Sequence, residues 1–172
     1  LVAAVPELAC ADLLWNNGDY AQEAASSSER NTLVPESWTV DDILLTSEVI
    51  VREFQWTSLM GLDIDPVGVD FIVLTAEFLP VVELRDREFT RELIGESFGF
   101  DLYRVTLSDP EVQLPPGRYY VGGRTVGTGE GRAFSALRRE IRGETQAYMR
   151  SDHFGFSVWA PVTEGLGGAY DM

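Results

Sequence analysis

Lysine is missing from this sequence: all 13 basic residues are Arg. A GC-rich coding bias accounts for that in the plainest way, and selection for fork-shaped, bidentate contacts to carboxylates is the functional alternative. Basic charge is scarce overall, since 28 Asp and Glu leave a net charge of −15 and a pI near 4.3. Phosphate contacts need a basic face, so the balance argues against nucleic acid as a partner and equally against an anionic membrane surface. Cysteine occurs once, as Cys10, which rules out an intrachain disulfide. No stretch approaches the ~20 consecutive apolar residues that a membrane-spanning helix needs. Histidine also occurs once, as His153 beside Asp152. A Ser-His-Asp site would need its serine from elsewhere in the chain, no G-x-S-x-G elbow is expected to supply it, and a lone His is more often a surface or satisfied residue. Twenty-eight acids guarantee coincidental carboxylate pairs, so glycoside hydrolysis has no specific support. With no nucleophile–base constellation, the chain is read as non-enzymatic, and an extracellular hydrolase ranks last among its readings.

What is present suits a globular protein. At 172 residues with 45% hydrophobic and 11% aromatic content, the chain is long enough to bury a real core in one domain. The charge is uneven: residues 1–80 hold 14 acids against Arg30 and Arg52, whereas residues 81–172 hold 14 acids against 11 Arg. That polarity would help identical subunits attract one another, and a solvated surface is the plain alternative. The opening LVAAVPELACA reads in two ways. Residues 1–11 are the remnant of a secretory signal with an A-x-A-type site before Asp12, which is the preferred reading, or they are a retained apolar arm.

The chain from Phe98 to Gly123 organises the rest. Phe100, Leu102 and Arg104 alternate with Asp101, Tyr103 and Val105, which predicts a strand. Ser108-Asp109-Pro110 and Pro115-Pro116-Gly117 read as turns, and Arg118–Val121 reads as a second strand ending at Gly122-Gly123. Further strands are expected at 12–15 (followed by an Asn16–Asp19 turn), 40–45, 49–59, 71–74 and 154–160, with the start of a last one at 169–172. Residues 20–37 read as a long polar loop, 61–68 as another loop, and 80–96 as a charged segment that is either a strand-pair edge or a helical turn. The one helical pattern is 133–142, where Phe134, Leu137 and Ile141 share a face ahead of Gly143; an irregular hairpin is its rival. Many short strands separated by turns predict an all-β, antiparallel jelly-roll β-sandwich over residues 12–172, with that one possible short helix.

The WNNG turn at Trp15–Gly18, the acidic pair in Val40-Asp41-Asp42, the Phe54–Trp56 strand, PPGRYYVGG at 115–123, FGFSVW at 154–159 and the closing AYDM form a pattern. Together they resemble the secreted jelly-roll domains of bacterial exosortase-sorted (PEP-CTERM-type) extracellular proteins, across nearly all of residues 12–172. The resemblance implies export, a cell-surface or matrix location and a jelly-roll sandwich; it implies no catalytic residues. Those families carry a C-terminal anchor beyond the domain.

Three constellations bear on binding. Asp63, Asp65 and Asp70 are closely spaced carboxylates able to offer oxygen ligands to Ca²⁺, although the spacing is not that of an EF-hand and a solvated acidic loop is the plain alternative. Asp41-Asp42 is weaker, because alternation sends the two carboxylates to opposite faces, one of them free to cap a turn. Trp15, Trp38, Trp56 and Trp159, with Tyr119, Tyr120, Tyr148 and Tyr170, include enough rings for a sugar-stacking platform. Trp56 and Phe154 read as core, which leaves Trp38 and Trp159 as the expected glycan-stacking pair. The leading expectation is a secreted structural or adhesive building block that self-associates, for instance by an apolar LVAAV arm completing a neighbour's sheet edge. An extracellular carbohydrate-binding module is the alternative.

Overall fold

In the computed structural model, the described residues are 23–141 and 143–167, with Leu13, Tyr20, Tyr170 and Met172. Cys10, Trp15, the 1–11 segment, the expected turn at 16–19 and most of the expected first and last strands lie outside them. Among the described residues twelve strands follow in order: β1 (Ala24–Ser27), β2 (Glu29–Arg30), β3 (Trp38–Leu45), β4 (Val49–Met60), β5 (Asp65–Thr75), β6 (Pro80–Arg87), β7 (Thr90–Ser97), β8 (Phe100–Leu114), β9 (Gly117–Thr128), β10 (Ala133–Leu137), β11 (Tyr148–Ser151) and β12 (Phe156–Pro161). A 3-10 turn, Asp152–Phe154, precedes β12, and a four-residue helix α1, Thr163–Leu166, follows it.

The strands form two sheets, and the chain is an all-β sandwich as the turn-punctuated sequence predicts. One sheet runs β1-β10-β4-β8-β7; the other runs β12-β11-β3-β9-β5-β6, with β2 added beside β9. Among the described residues every pairing is antiparallel except the two-residue β2–β9 contact. The core between the sheets collects Ile43, Leu45, Val69, Phe71, Val73, Tyr119 and Val121 from one side, and Trp56, Met60, Val105 and Leu107 from the other. Period-2 alternation explains the selection, because β5 sends its odd-numbered residues inward.

Several even-numbered residues of the same strands are buried too. Ile72 and Leu74 of β5, Trp38 and Val40 of β3 and Tyr120 of β9 form a second apolar cluster on the outer face of the larger sheet. A strand apolar on both faces belongs in a sheet's middle, and β5 is paired on both sides, by β9 and β6. Gly122 and Gly123 serve that middle by absence of volume, not by turning the chain. A Cβ on Gly122 would sit 2.2 Å from the Thr39 carbonyl oxygen, and one on Gly123 would sit 2.8 Å from the Trp56 ring.

Several expectations are corrected. Over 133–142, where the sequence predicts a helix or an irregular hairpin, the helix does not form: Ala133–Leu137 is strand β10, paired with β1 and β4. Phe134 and Leu137 fit either period, and the open edges of two neighbouring strands decide the outcome. Residues 24–30, expected as loop, form β1 and β2: Ser26, Ser27, Ser28 and Glu29 are buried. Glu29 accepts hydrogen bonds from Ser27 Oγ (2.9 Å), Asn31 Nδ2 (3.0 Å), Arg132 Nε (2.7 Å) and the Ala133 amide (2.8 Å), so its charge is fully matched inside the protein. The Asp109-Pro110 turn is a bulge within β8, with Asp109 and Glu111 at φ of 51° and 48°. The ambiguous segment 80–96 resolves into the edge strands β6 and β7, one at the rim of each sheet. Phe154, expected in the core, is 37% exposed.

Candidate functional site

The outer face of the larger sheet carries two adjoining groups, one ionic and one aromatic. Register pairs Asp70 of β5 with Arg124 of β9, and the Arg124 guanidinium lies over the ring of Trp38 of β3. Arg124 and Asp70 are fully buried and joined by Nε donating to Oδ2 at 2.7 Å. Arg30 closes on the same carboxylate with two bonds, Nε to Oδ2 at 2.9 Å and Nη2 to Oδ1 at 3.1 Å, and the Asp86 amide donates a fourth at 2.8 Å. Burial alone would raise the Asp70 pKa; the Arg30 bonds, the Asp86 amide and the Arg124 charge outweigh it and hold the carboxyl below the ordinary value. Burial lowers the Arg124 pKa, and Asp70 and Glu36 only partly offset it. Glu36 completes the group: it accepts from the Trp38 indole N–H at 3.1 Å and lies 3.4 Å from Arg124 Nη1. Burial pushes Glu36 up, but the Trp38 bond and the charges of Arg124, Arg85 and Arg150 bring it below the usual carboxylate range.

This arrangement corrects two sequence expectations. Asp70 is no loop ligand: Asp63 and Asp65 are exposed at the entrance to β5, while Asp70 lies inside the strand, roughly 17 Å farther along at the rise of extended chain. Its oxygens are saturated by guanidinium and amide donors, and no three Asp, Glu, His or Cys gather as a metal site among the described residues. Trp38 is 1% exposed, with the Arg124 guanidinium 3.9 Å above its ring centroid, so its face is unavailable to a sugar.

Trp159 behaves differently. It is half-buried on β12 and stacks with Phe78 at 5.8 Å between centroids and 17° between planes. Phe78 also stacks on buried Tyr120 (4.4 Å, 18°) and meets Tyr148 at 4.8 Å. Three separate elements thus bring Phe78, Tyr148 and Trp159 together as a half-exposed ridge over Tyr120. Phe78 stands in the left-handed region, φ 61°, where a bulky side chain is disfavoured. The turn is held by Thr75, whose hydroxyl accepts from the Glu77 and Leu79 amides, and whose backbone bonds both Phe78 and Leu79. Beneath the ridge, Tyr120 Oη and Thr145 Oγ1 are 3.2 Å apart, and Asp42 accepts from the amides of Glu144 (3.1 Å) and Thr145 (3.2 Å), the turn-capping role open to that acidic pair. Burial, with Tyr120 and Asp42 nearby, raises the Tyr148 pKa. Composition pointed to Trp159; Phe78 had no sequence signal, because a Thr-Ala-Glu-Phe turn gives no notice of a left-handed aromatic.

The expectation that the chain holds no G-x-S-x-G string is corrected: Gly95–Gly99 is one. It occupies the β7–β8 hairpin, with Phe98 and Gly99 at φ of 53° and 77°, not the strand-to-helix bend of a nucleophile elbow. Ser97 is buried, its Oγ 3.2 Å from Tyr20 Oη. His153 is exposed in the turn before β12, with its ring edge-on to Phe154.

Comparison of the chain with models of protein families, with curated proteins and with solved structures finds no match in any of the three.

Proposed function

We propose that this chain is a non-enzymatic carbohydrate-binding β-sandwich, exported as its sequence resemblance implies, which uses the Phe78–Tyr148–Trp159 ridge to stack against the apolar faces of sugar rings. The observation that carries the reading is the ridge itself: three half-exposed rings from three elements, one held in a costly backbone conformation, on one sheet face. A core would bury such rings, whereas a stacking site leaves faces or edges in water. The test is retention on insoluble polysaccharides. Wild-type protein is expected to be retained by at least one neutral polysaccharide, and Trp159→Ala to lose roughly tenfold or more in affinity, the scale of a stacked ring's contribution. Unchanged retention in Trp159→Ala and Phe78→Ala, with folding verified by circular dichroism, would sink the reading.

Self-assembly as a structural or adhesive building block is the second reading, and one observation favours it. Strand β12, at the rim of the larger sheet, carries no charged residue and exposes Val158 at 71%. Such an edge is open to addition of a strand from another copy. Light scattering of concentrated protein is then expected to show oligomers that Val158→Asp disperses; a monomer at all concentrations removes this reading.

A further inference from the structure

The side of the sandwich opposite β12 is open where the chain crosses from β6 to β7. A cleft of about 520 Å³ lies there, within the size range of small-ligand sites. The charged groups at its mouth are not equivalent. Arg85 is committed to Glu83 and Glu36, and Asp86 to Arg30. The remaining lining groups, the Arg87 guanidinium, the Glu88 carboxylate and the hydroxyls of Thr90, Thr106 and Ser108, have no hydrogen-bond or ion-pair partner among the described residues. Five uncommitted polar groups therefore share one concavity beside Phe89, whose ring packs against the main core.

Their chemistry selects the ligand. One free cation and one free anion cancel, so an anionic ligand meets Glu88 and a cationic one meets Arg87, each unfavourably. Three hydroxyls both donate and accept, which suits a ligand whose own groups do both. A guanidinium and a carboxylate offer such a ligand charge-assisted bonds, the strongest available at a wet site. We infer that this cleft is a second binding site, for a neutral polyhydroxylated ligand: a single sugar residue or the end of a glycan chain. The inference rests on the carbohydrate reading and adds to it a subsite remote from the aromatic ridge, built from hydrogen bonds instead of ring stacking.

The experiment is an amide-resolved NMR titration of the full chain with glucose, N-acetylglucosamine and cellobiose, run beside glycine betaine and sodium sulfate. A neutral sugar is expected to shift the amides of Thr90, Thr106 and Ser108 saturably. Arg87→Ala and Thr106→Val, neither at a buried position, should weaken that binding roughly tenfold each while retention of both variants on polysaccharide stays at the wild-type level. Shifts there with betaine or sulfate alone, or none with any of the three sugars, overturn the inference. The ridge is scored separately: polysaccharide retention that depends on Trp159 without cleft shifts leaves the ridge reading standing. Cleft shifts with no effect of Trp159→Ala remove the ridge and keep the cleft.

Discussion

Asp70 shows how one carboxylate can be read correctly as chemistry and wrongly as function. Three groups that sequence separation hides, Arg30 forty residues away, Arg124 fifty-four and the Asp86 amide sixteen, converge on it. Replacing it with Asn keeps the shape but leaves the buried Arg124 cation with only the half-exposed Glu36 as counter-charge, and breaking a buried pair in this way costs about 3–5 kcal/mol. Acid should do the same gradually. Asp70 and Glu36 both have folded pKa values below their unfolded ones, so the unfolded chain binds more protons throughout that window. Their contribution is complete above the unfolded carboxylate pKa of about 4 and is lost as pH falls through the lower folded values. Urea midpoints measured from pH 6 to pH 2.5 are therefore expected to fall steeply in the wild type. The fall should be shallower in Asp70→Asn, which starts from lower stability; parallel curves would show that the acid response arises elsewhere.

At the scale of strands, legibility followed burial. The middle strands β3, β5 and β9 and the long strands β4 and β8 were readable because apolar residues at period two, or on both faces, leave few alternatives. The elements that escaped detection are those whose burial is polar or whose pairing is borrowed. Ser26–Glu29 pack inside through hydrogen bonds to Thr39, Ser37 and Arg132, partners at least ten residues away in sequence. Strand β10 has an ambiguous period and is settled by β1 and β4. The candidate sites divide in the same way: Trp159 could be named from composition, whereas Phe78 and the cleft depend on turns and on a sheet crossing. Edge chemistry also became visible only with strand order. Edge β6 opens with Pro80 and carries Glu83, Arg85, Asp86 and Arg87; edge β7 carries Arg91, Glu92 and Glu96 with an irregular register at Gly95. Both are blunted against strand addition, which leaves β1 and β12 as the uncharged rims among the described residues, and of the two only β12 exposes a large apolar side chain, Val158.

For the whole molecule, the lopsided charge of the sequence is partly resolved within the chain. Acids of the first half meet arginines of the second: Glu29 with Arg132, Glu36 with Arg85 and Arg124, and Asp70 with Arg124. These contacts stitch the halves together and use some of the complementarity that subunit attraction would otherwise have drawn on. They do not alter the total of −15, and the remaining acids repel one another across the surface. Salt acts on attraction and repulsion oppositely. It weakens exposed pairs such as Arg104–Glu92, each worth about 0–1 kcal/mol, and barely reaches the buried Arg124–Asp70 pair. It also screens the long-range repulsion, as the Debye length drops from about 30 Å at 0.01 M to about 8 Å at 0.15 M. With a net charge of −15, repulsion outweighs the exposed pairs, so the thermal midpoint should rise by roughly 2–4 °C over that range, the response to about 1 kcal/mol in a domain of this size. Calorimetry at the two salt concentrations decides it: a midpoint that falls instead would mean that exposed ion pairs, not net charge, govern the stability of this sandwich.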